Sequence, residues 1–272
     1  MSNQEGRRVT EEELSRATRF SDFSLARLLP DGKTVVKAGT TIRETEGNTM
    51  RFIRQHTSIP VPEVYNVYKE SQPGGGTGSV TVIVMEYVDG QRLDEAWPAL
   101  TPDEKASVLQ QLRGYFRELR QIKGDFIGSV DGSACDDQFL ENAPESSRGP
   151  FKTEAEFNQA LANVWLSGEG GHEEDPFRRL LVKILFEVGR GHEIVLTHND
   201  FAARNILVRG STVVAILDWE FAGFYPEYWE YCKALWRPEW DSEWIRDGLV
   251  DKVLEPYLKE VALIMNTSYT IF

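Results

Sequence analysis

The chain has 272 residues, enough for one two-lobed enzyme or two small domains with a real core. Its 43 acidic residues against 30 lysines and arginines give a formal charge of −13. That excludes the basic stripe of a nucleic-acid surface and acts first as a solubility device, with weak pull on a cationic substrate. Cys135 and Cys232 are too few for a disulfide framework, no apolar signal core opens the chain, and no run approaches the ~18 apolar residues of a membrane span. The expectation is a soluble, cytoplasmic protein with reduced thiols and neither nucleic acid nor membrane as partner.

Residues 1 to about 30 are expected to hold a short helix and a first strand. Thr34–Ala38 is strand-like and ends near Lys37, and Ile42–His56 has helical spacing, with Ile42, Met50 and Ile53 near one face. Val64–Tyr68 and Val80–Tyr87 form two further strands. The glycine-rich stretch Pro73–Gly78 between them matches no phosphate-binding pattern and precedes no helix, so it is expected to be a hairpin connection. Phe20–Lys33, poor in glycine, is left as the phosphate cover of any nucleotide. At Val82–Gly90 an apolar run turns abruptly polar, as a hinge would whose backbone faces an adenine.

From Thr101 the chain becomes helical. Thr101-Pro102-Asp103-Glu104 is a capping box with proline at the first helical position, followed by the stripe Leu109, Leu112, Phe116, Leu119. Thr153-x-x-Glu156 opens a second helix, and Asp175-Pro176 a third that carries Leu180, Leu181, Ile184 and Leu185. Gly124–Pro150 reads as loop. A helix through Trp229, Cys232 and Trp236 is expected, then a last one from about Gly248 to Met265.

Between these helices lies the stretch that carries chemistry. Ile194–Thr197 leads into His198-Asn199-Asp200-Phe201-Ala202-Ala203-Arg204-Asn205, and Ile206–Val208 leads out. The turn Arg209–Thr212 then folds Val213–Leu217 back as a hairpin, so Asp200, Asn205 and Asp218 are expected to converge. A hydroxyl attacking a terminal phosphate needs a carboxylate to orient it and take its proton, which suits Asp200. Magnesium needs oxygen ligands, which suits Asn205 and Asp218. Glu220 is either a further magnesium ligand, direct or through water, or a solvated loop acid. His198 has no histidine at metal-ligand spacing and is expected to brace the loop through one hydrogen bond.

The pattern His198-x-Asp200-x4-Asn205 with Asp218-Trp219-Glu220 resembles the aminoglycoside phosphotransferase-like family, relatives of the protein kinases. So do Ile59-Pro60-Val61-Pro62, Met85-Glu86-Tyr87, Gly90-x-x-Leu93, Gly149-Pro150-Phe151 and Pro226-x-Tyr228-Trp229-Glu230. The resemblance implies an α/β (α+β), two-lobed kinase-like fold, with a small mixed lobe over 1–88 and a larger, mainly helical lobe over 89–272. It implies ATP and Mg2+ as cofactors and a small-molecule hydroxyl as acceptor. By the same resemblance Lys37 holds the nucleotide phosphates and Glu46 orients it, with Glu44 as rival, while Glu86, Tyr87 and Val88 receive the nucleobase. Arg204 resembles the arginine of the tyrosine-kinase loop, which reaches the transferred phosphoryl group. Asp218 is followed by Trp-Glu rather than Phe-Gly, and only about seven residues separate Glu220 from the next helix, which leaves no long peptide-holding loop. A pseudokinase and, less favoured, a protein kinase are the competing expectations.

Overall fold

The β-branched run Val80–Val84 needs partners on both edges, and it finds them. The computed structural model describes residues 6–22, 24–71, 78–167, 175–236 and 242–271; the expected Pro73–Gly78 connection falls mostly outside them. In chain order the first hundred residues form α1 (Glu11–Arg16), β1 (Thr18–Arg19), β2 (Ala26–Leu28), β3 (Thr34–Gly39), α2 (Glu44–His56), β4 (Val64–Ser71), β5 (Ser79–Glu86), β6 (Gln91–Arg92) and α3 (Leu93–Ala96). Next come α4 (Pro102–Gln121), β7 (Gly128–Ser129), α5 (Glu154–Ser167), α6 (Pro176–Val188) and β8 (Ile194–Thr197). The chain continues with β9 (Ile206–Arg209), β10 (Thr212–Ile216), β11 (Gly223–Pro226), α7 (Trp229–Trp236), α8 (Glu243–Arg246), α9 (Leu249–Val253) and α10 (Leu258–Ile271).

These elements divide into two compact units, 1–100 with 204–220 and 101–203 with 221–272. The first holds an antiparallel five-stranded sheet, ordered β1-β2-β3-β5-β4, and a three-stranded one, β10-β9-β6. Its hairpin β9–β10 pairs Ile206 with Ile216 and Arg209 with Thr212, as the turn composition predicts. The second unit is mainly helical, with a small sheet β7-β11-β8. Its core gathers Phe139, Phe157, Leu161, Trp165, Tyr225 and Trp229. This is the mixed sheet-and-helix fold that the sequence predicts. No helix among the described residues is long and apolar enough to cross a membrane.

Three local expectations are corrected. The last helix is interrupted: α9 ends at Val253 and α10 starts at Leu258. Pro256 lies between them and has no amide hydrogen to continue a helix. At α5 the box is half formed, since Thr153 accepts the Glu156 amide while Glu156 turns to the Lys152 amide instead. On the amphipathic helices, Val108 rather than Leu109 joins the buried stripe of α4, and on α6 Leu181 and Leu185 are buried while Leu180 and Ile184 stay exposed. The Thr101 box and the Asp175 cap form as expected.

Helix α2 lies close on the sheet at Gly47, where a Cβ would stand 2.5 Å from Val67 Cγ2. Overpacking of that kind costs about 1–3 kcal/mol, against a helix-propensity gain of about 1 kcal/mol for alanine over glycine. Gly47→Ala is therefore expected to lower the urea midpoint. An unchanged or higher midpoint would mean that α2 lifts off β4 without penalty.

Candidate functional site

In the first unit a strand, a helix and the end of a hairpin deliver charged groups to one point. Lys37 lies within β3 rather than at its end, and its Nζ stands 2.9 Å from Glu46 Oε1 on α2. The same Nζ is 2.9 Å from Asp218 Oδ1 and 3.3 Å from Glu220 Oε2. The Lys37 side chain is 13% exposed, far from the solvated surface lysine that a strand position alone allows. Glu44 turns away to an exposed pair with Lys69 at 2.7 Å.

The electrostatics follow from burial. Burial opposes the charge on Lys37, but attraction to Glu46, Asp218 and Glu220 outweighs it and holds the ammonium well above its ordinary range. Burial pushes the Glu46 carboxyl up to about 7; Lys37 pulls it back, while Asp218 and Glu220 repel its charge. Glu46 Oε2 is buried without a hydrogen-bond partner, which agrees with that direction.

The hairpin end is built to present Asp218. Leu217 N donates to Asn205 O at 2.8 Å and Ile216 N to Pro60 O at 2.8 Å. Trp219, fully buried, donates its Nε1 to Ile216 O at 3.0 Å. Between these anchors Asp218 adopts φ 64, a left-handed conformation that a non-glycine residue holds only when its surroundings fix it. Asn205 closes the one-turn segment Ala203–Asn205, in which Arg204 is central, and the hairpin register sets Asn205 at the same open end as Asp218.

The expected hinge is partly committed: Glu86 N donates to Glu63 O and Tyr87 N to Lys33 O, both at 2.8 Å. Within Phe20–Lys33, the stretch expected as phosphate cover, Ala26–Leu28 forms β2, which pairs with β1, and Phe20 stacks on Tyr87 at 6.2 Å between ring centroids.

Asp200 belongs to the second unit and is buried. Its amide donates to His198 Nδ1 at 3.2 Å, so His198 acts as a brace whose Nδ1 accepts. The carboxylate of Glu230 accepts the amides of His198 at 2.6 Å and Asn199 at 3.1 Å. Complete burial raises the Glu230 carboxyl above its ordinary value, against those two amides and Arg120. In the sequence Glu230 stands out only as the last residue of the motif Pro226-x-Tyr228-Trp229-Glu230, which does not tell that it takes these two amides.

A sequence model of the phosphotransferase enzyme family matches residues 39–261. The chain belongs to that family. Lys37 lies just before the matched stretch of this phosphotransferase, so its part in the site rests on the geometry above. In fold it is similar to a thermostable variant of aminoglycoside phosphotransferase APH(4)-Ia in ternary complex with AMP-PNP and hygromycin B (19% identity, TM-score 0.62, 94% of this chain and 86% of that one). It is also similar to APH(2'')-IIa in complex with streptomycin and ATP (18% identity, TM-score 0.51, 81% and 71%). A probable acyl-CoA dehydrogenase, IBR3, of Arabidopsis thaliana is 25% identical over 205 residues, 71% of this chain. A subtelomeric hrmA-associated cluster protein of Aspergillus fumigatus is 31% identical over 86 residues, 32% of this chain. The matches span 22% and 16% of those two relatives' lengths.

Glu46 ties the site to stability. Its carboxyl has an ordinary value of 4.5 and rises to about 7 in the folded chain. The folded state binds the extra proton, so this group's contribution is fully present below pH 4.5 and is lost as pH climbs through 7. Lys37→Met removes the counter-charge and is expected to cost about 3 kcal/mol at pH 8, the scale for breaking a buried pair. At pH 5, where Glu46 keeps its proton, the cost should be much smaller. Urea unfolding at the two pH values checks this; an equal loss at both would assign Lys37 a packing role instead.

Proposed function

We propose that the chain transfers the terminal phosphoryl group of ATP, with magnesium, to a hydroxyl of a small molecule. The observation that carries the reading is the Lys37 cluster: one ammonium faces Asp218 and Glu220 as well as the buried Glu46, so ionised acids outnumber the cation even where Glu46 keeps its proton, which suits a divalent cation and the phosphates it accompanies. Among the described residues no three His, Cys, Asp or Glu side chains form a metal cage. Magnesium does not need one, because it keeps several waters and takes one or two carboxylates beside phosphate oxygens. The hard oxygens of Asn205 and Asp218 fit it, with Glu220 as a further or water-mediated ligand. When bound, the ion would neutralise charge on the phosphates.

The remaining roles belong to the chain. Lys37 holds the α- and β-phosphates as a point charge, and Glu46 keeps Lys37 aimed. The amide of Val88 is assigned to the nucleobase edge, since those of Glu86 and Tyr87 are committed within the unit. Asp200 orients the acceptor hydroxyl and accepts its proton as the acceptor oxygen bonds to phosphorus and the bond to the ADP oxygen breaks. Arg204 supplies positive charge to the transferred group.

A small acceptor is favoured over a peptide because the chain after Glu220 goes directly into β11, paired with both β7 and β8, and then into α7. The ligands in the complexes of the two similar structures, hygromycin B and streptomycin, support a polyhydroxylated acceptor class.

A panel of small hydroxylated compounds assayed for ATP consumption tests the reading. With an acceptor in hand, Asp200→Asn should lower turnover roughly 10²-fold or more with little change in nucleotide affinity. Asp218→Asn keeps a residue that tolerates the left-handed turn but removes the charge, and should weaken magnesium-dependent ATP binding in calorimetry. Nucleotide binding with no transfer to any acceptor would instead make the chain a non-catalytic nucleotide binder.

A further inference from the structure

In the second unit one enclosed carboxylate has both oxygens fully engaged. Asp137, at the cap of a single turn Gln138–Leu140, accepts the Phe139 amide on Oδ1 at 2.8 Å, and Oδ1 lies 3.5 Å from Lys233 Nζ. Its Oδ2 accepts Asn199 Nδ2 at 2.7 Å and Trp229 Nε1 at 2.8 Å. Lys233 is equally enclosed: Nζ donates to Gln138 Oε1 at 3.1 Å and sits 4.8 Å from the ring centres of Phe139 and Trp236. A buried ion pair repays its desolvation only when geometry is complete, so this one is rigid. Neither charge reaches a surface from which it might touch substrate, since the two side chains are 0% and 2% exposed.

What the pair does reach is Asn199, the residue between His198 and Asp200. Asn199 has φ 68, so it shares the left-handed conformation of Asp218. Its Nδ2 donates to Asp137 Oδ2 and also, at 3.1 Å, to the carbonyl of Phe221, the residue after Glu220. Both partners are acceptors, which fixes the side-chain amide with its NH2 toward them. Oδ1 is left buried without a hydrogen-bond partner. A strained backbone and an orphaned oxygen in one side chain persist only where the surroundings over-determine them.

We propose that Asp137 and Asn199 are positioning residues that set the direction in which the chain enters Asp200. The proposal rests on the reading of Asp200 as proton acceptor. Glu230 fixes the two backbone amides before Asp200, and Asp137 fixes the one side chain between His198 and Asp200. Lys233 Nζ lies 3.5 Å from the other oxygen of Asp137. Through the Phe221 carbonyl, the same Asn199 side chain also restrains the segment that follows Glu220.

The test uses Asp137→Asn, Asn199→Gly and the double variant in the full chain. Glycine keeps the left-handed backbone accessible while removing the tether. Each single variant should lower kcat about ten- to a hundredfold, the scale of a small misplacement, with KM for ATP within about twofold. The double variant should be no worse than the worse single, because both remove one coupling. Amide hydrogen exchange at Asp200 should rise in all three. If the double loss is the product of the single losses, or if exchange at Asp200 is unchanged, the inference is overturned. A lower Tm with kcat unchanged overturns it too, by making the pair purely structural. Should Asp137→Asn fail to fold, Asn199→Gly carries the test through the same kcat and exchange readouts. If the wild-type chain transfers phosphate to no acceptor, the functional reading fails and exchange alone decides: a rise upholds the positioning role, no change overturns it.

Discussion

One ammonium group sets the organisation of the first unit. Lys37 draws Glu46, nine residues away in sequence, and Asp218 and Glu220, 181 and 183 residues away, to within 3.3 Å. Without it three carboxylates would crowd one another, one of them almost wholly buried. The acidic groups outnumber the one cation that holds them together. The hairpin serves this cluster, because Trp219 and the Leu217–Asn205 hydrogen bond force the left-handed turn from which Asp218 projects.

The second unit solves a parallel problem with acids of its own. A loop that carries the proposed proton acceptor must be rigid although loops are intrinsically loose. Here rigidity comes from Glu230 on α7, which takes two successive amides, and from Asp137, which takes the Asn199 side chain. Both acids are buried, and Asp137 sits beside the rings of Trp229 and Phe139, where low polarity strengthens each hydrogen bond and makes any lost partner costly. Both non-glycine residues with left-handed backbones among those described, Asn199 and Asp218, lie in these two pieces, so the strain of the chain concentrates where chemistry is proposed.

Much of this was legible in the residues. β-Branching and turn composition locate the hairpin 206–216, capping residues locate the starts of α4 and α6, and a helical period locates α2. Where local signals competed, they misled. Thr153 and Glu156 have the spacing of a reciprocal box, yet the glutamate prefers the Lys152 amide, and the apolar run after Gly248 reads as one helix although Pro256 breaks it. Leu180 and Leu181 are alike to any composition rule, and only packing decides that the second is buried.

The sequence by itself determined most of the longer elements, the oxygen-bearing side chains at Asp200, Asn205 and Asp218, and the family to which their spacing belongs, because these depend on residue type and short-range period. Only the tertiary structure decided that Glu46 rather than Glu44 meets Lys37, that Lys37 is buried, and that Asp137 and Lys233 pair beneath Asn199. Glu44 and Glu46 are two residues apart on one helix, and therefore on different faces. The helical stripe of Met50 and Ile53 carries Glu46 on the same buried face, and the sheet meets that face closely at Gly47, where a Cβ would stand 2.5 Å from Val67 Cγ2.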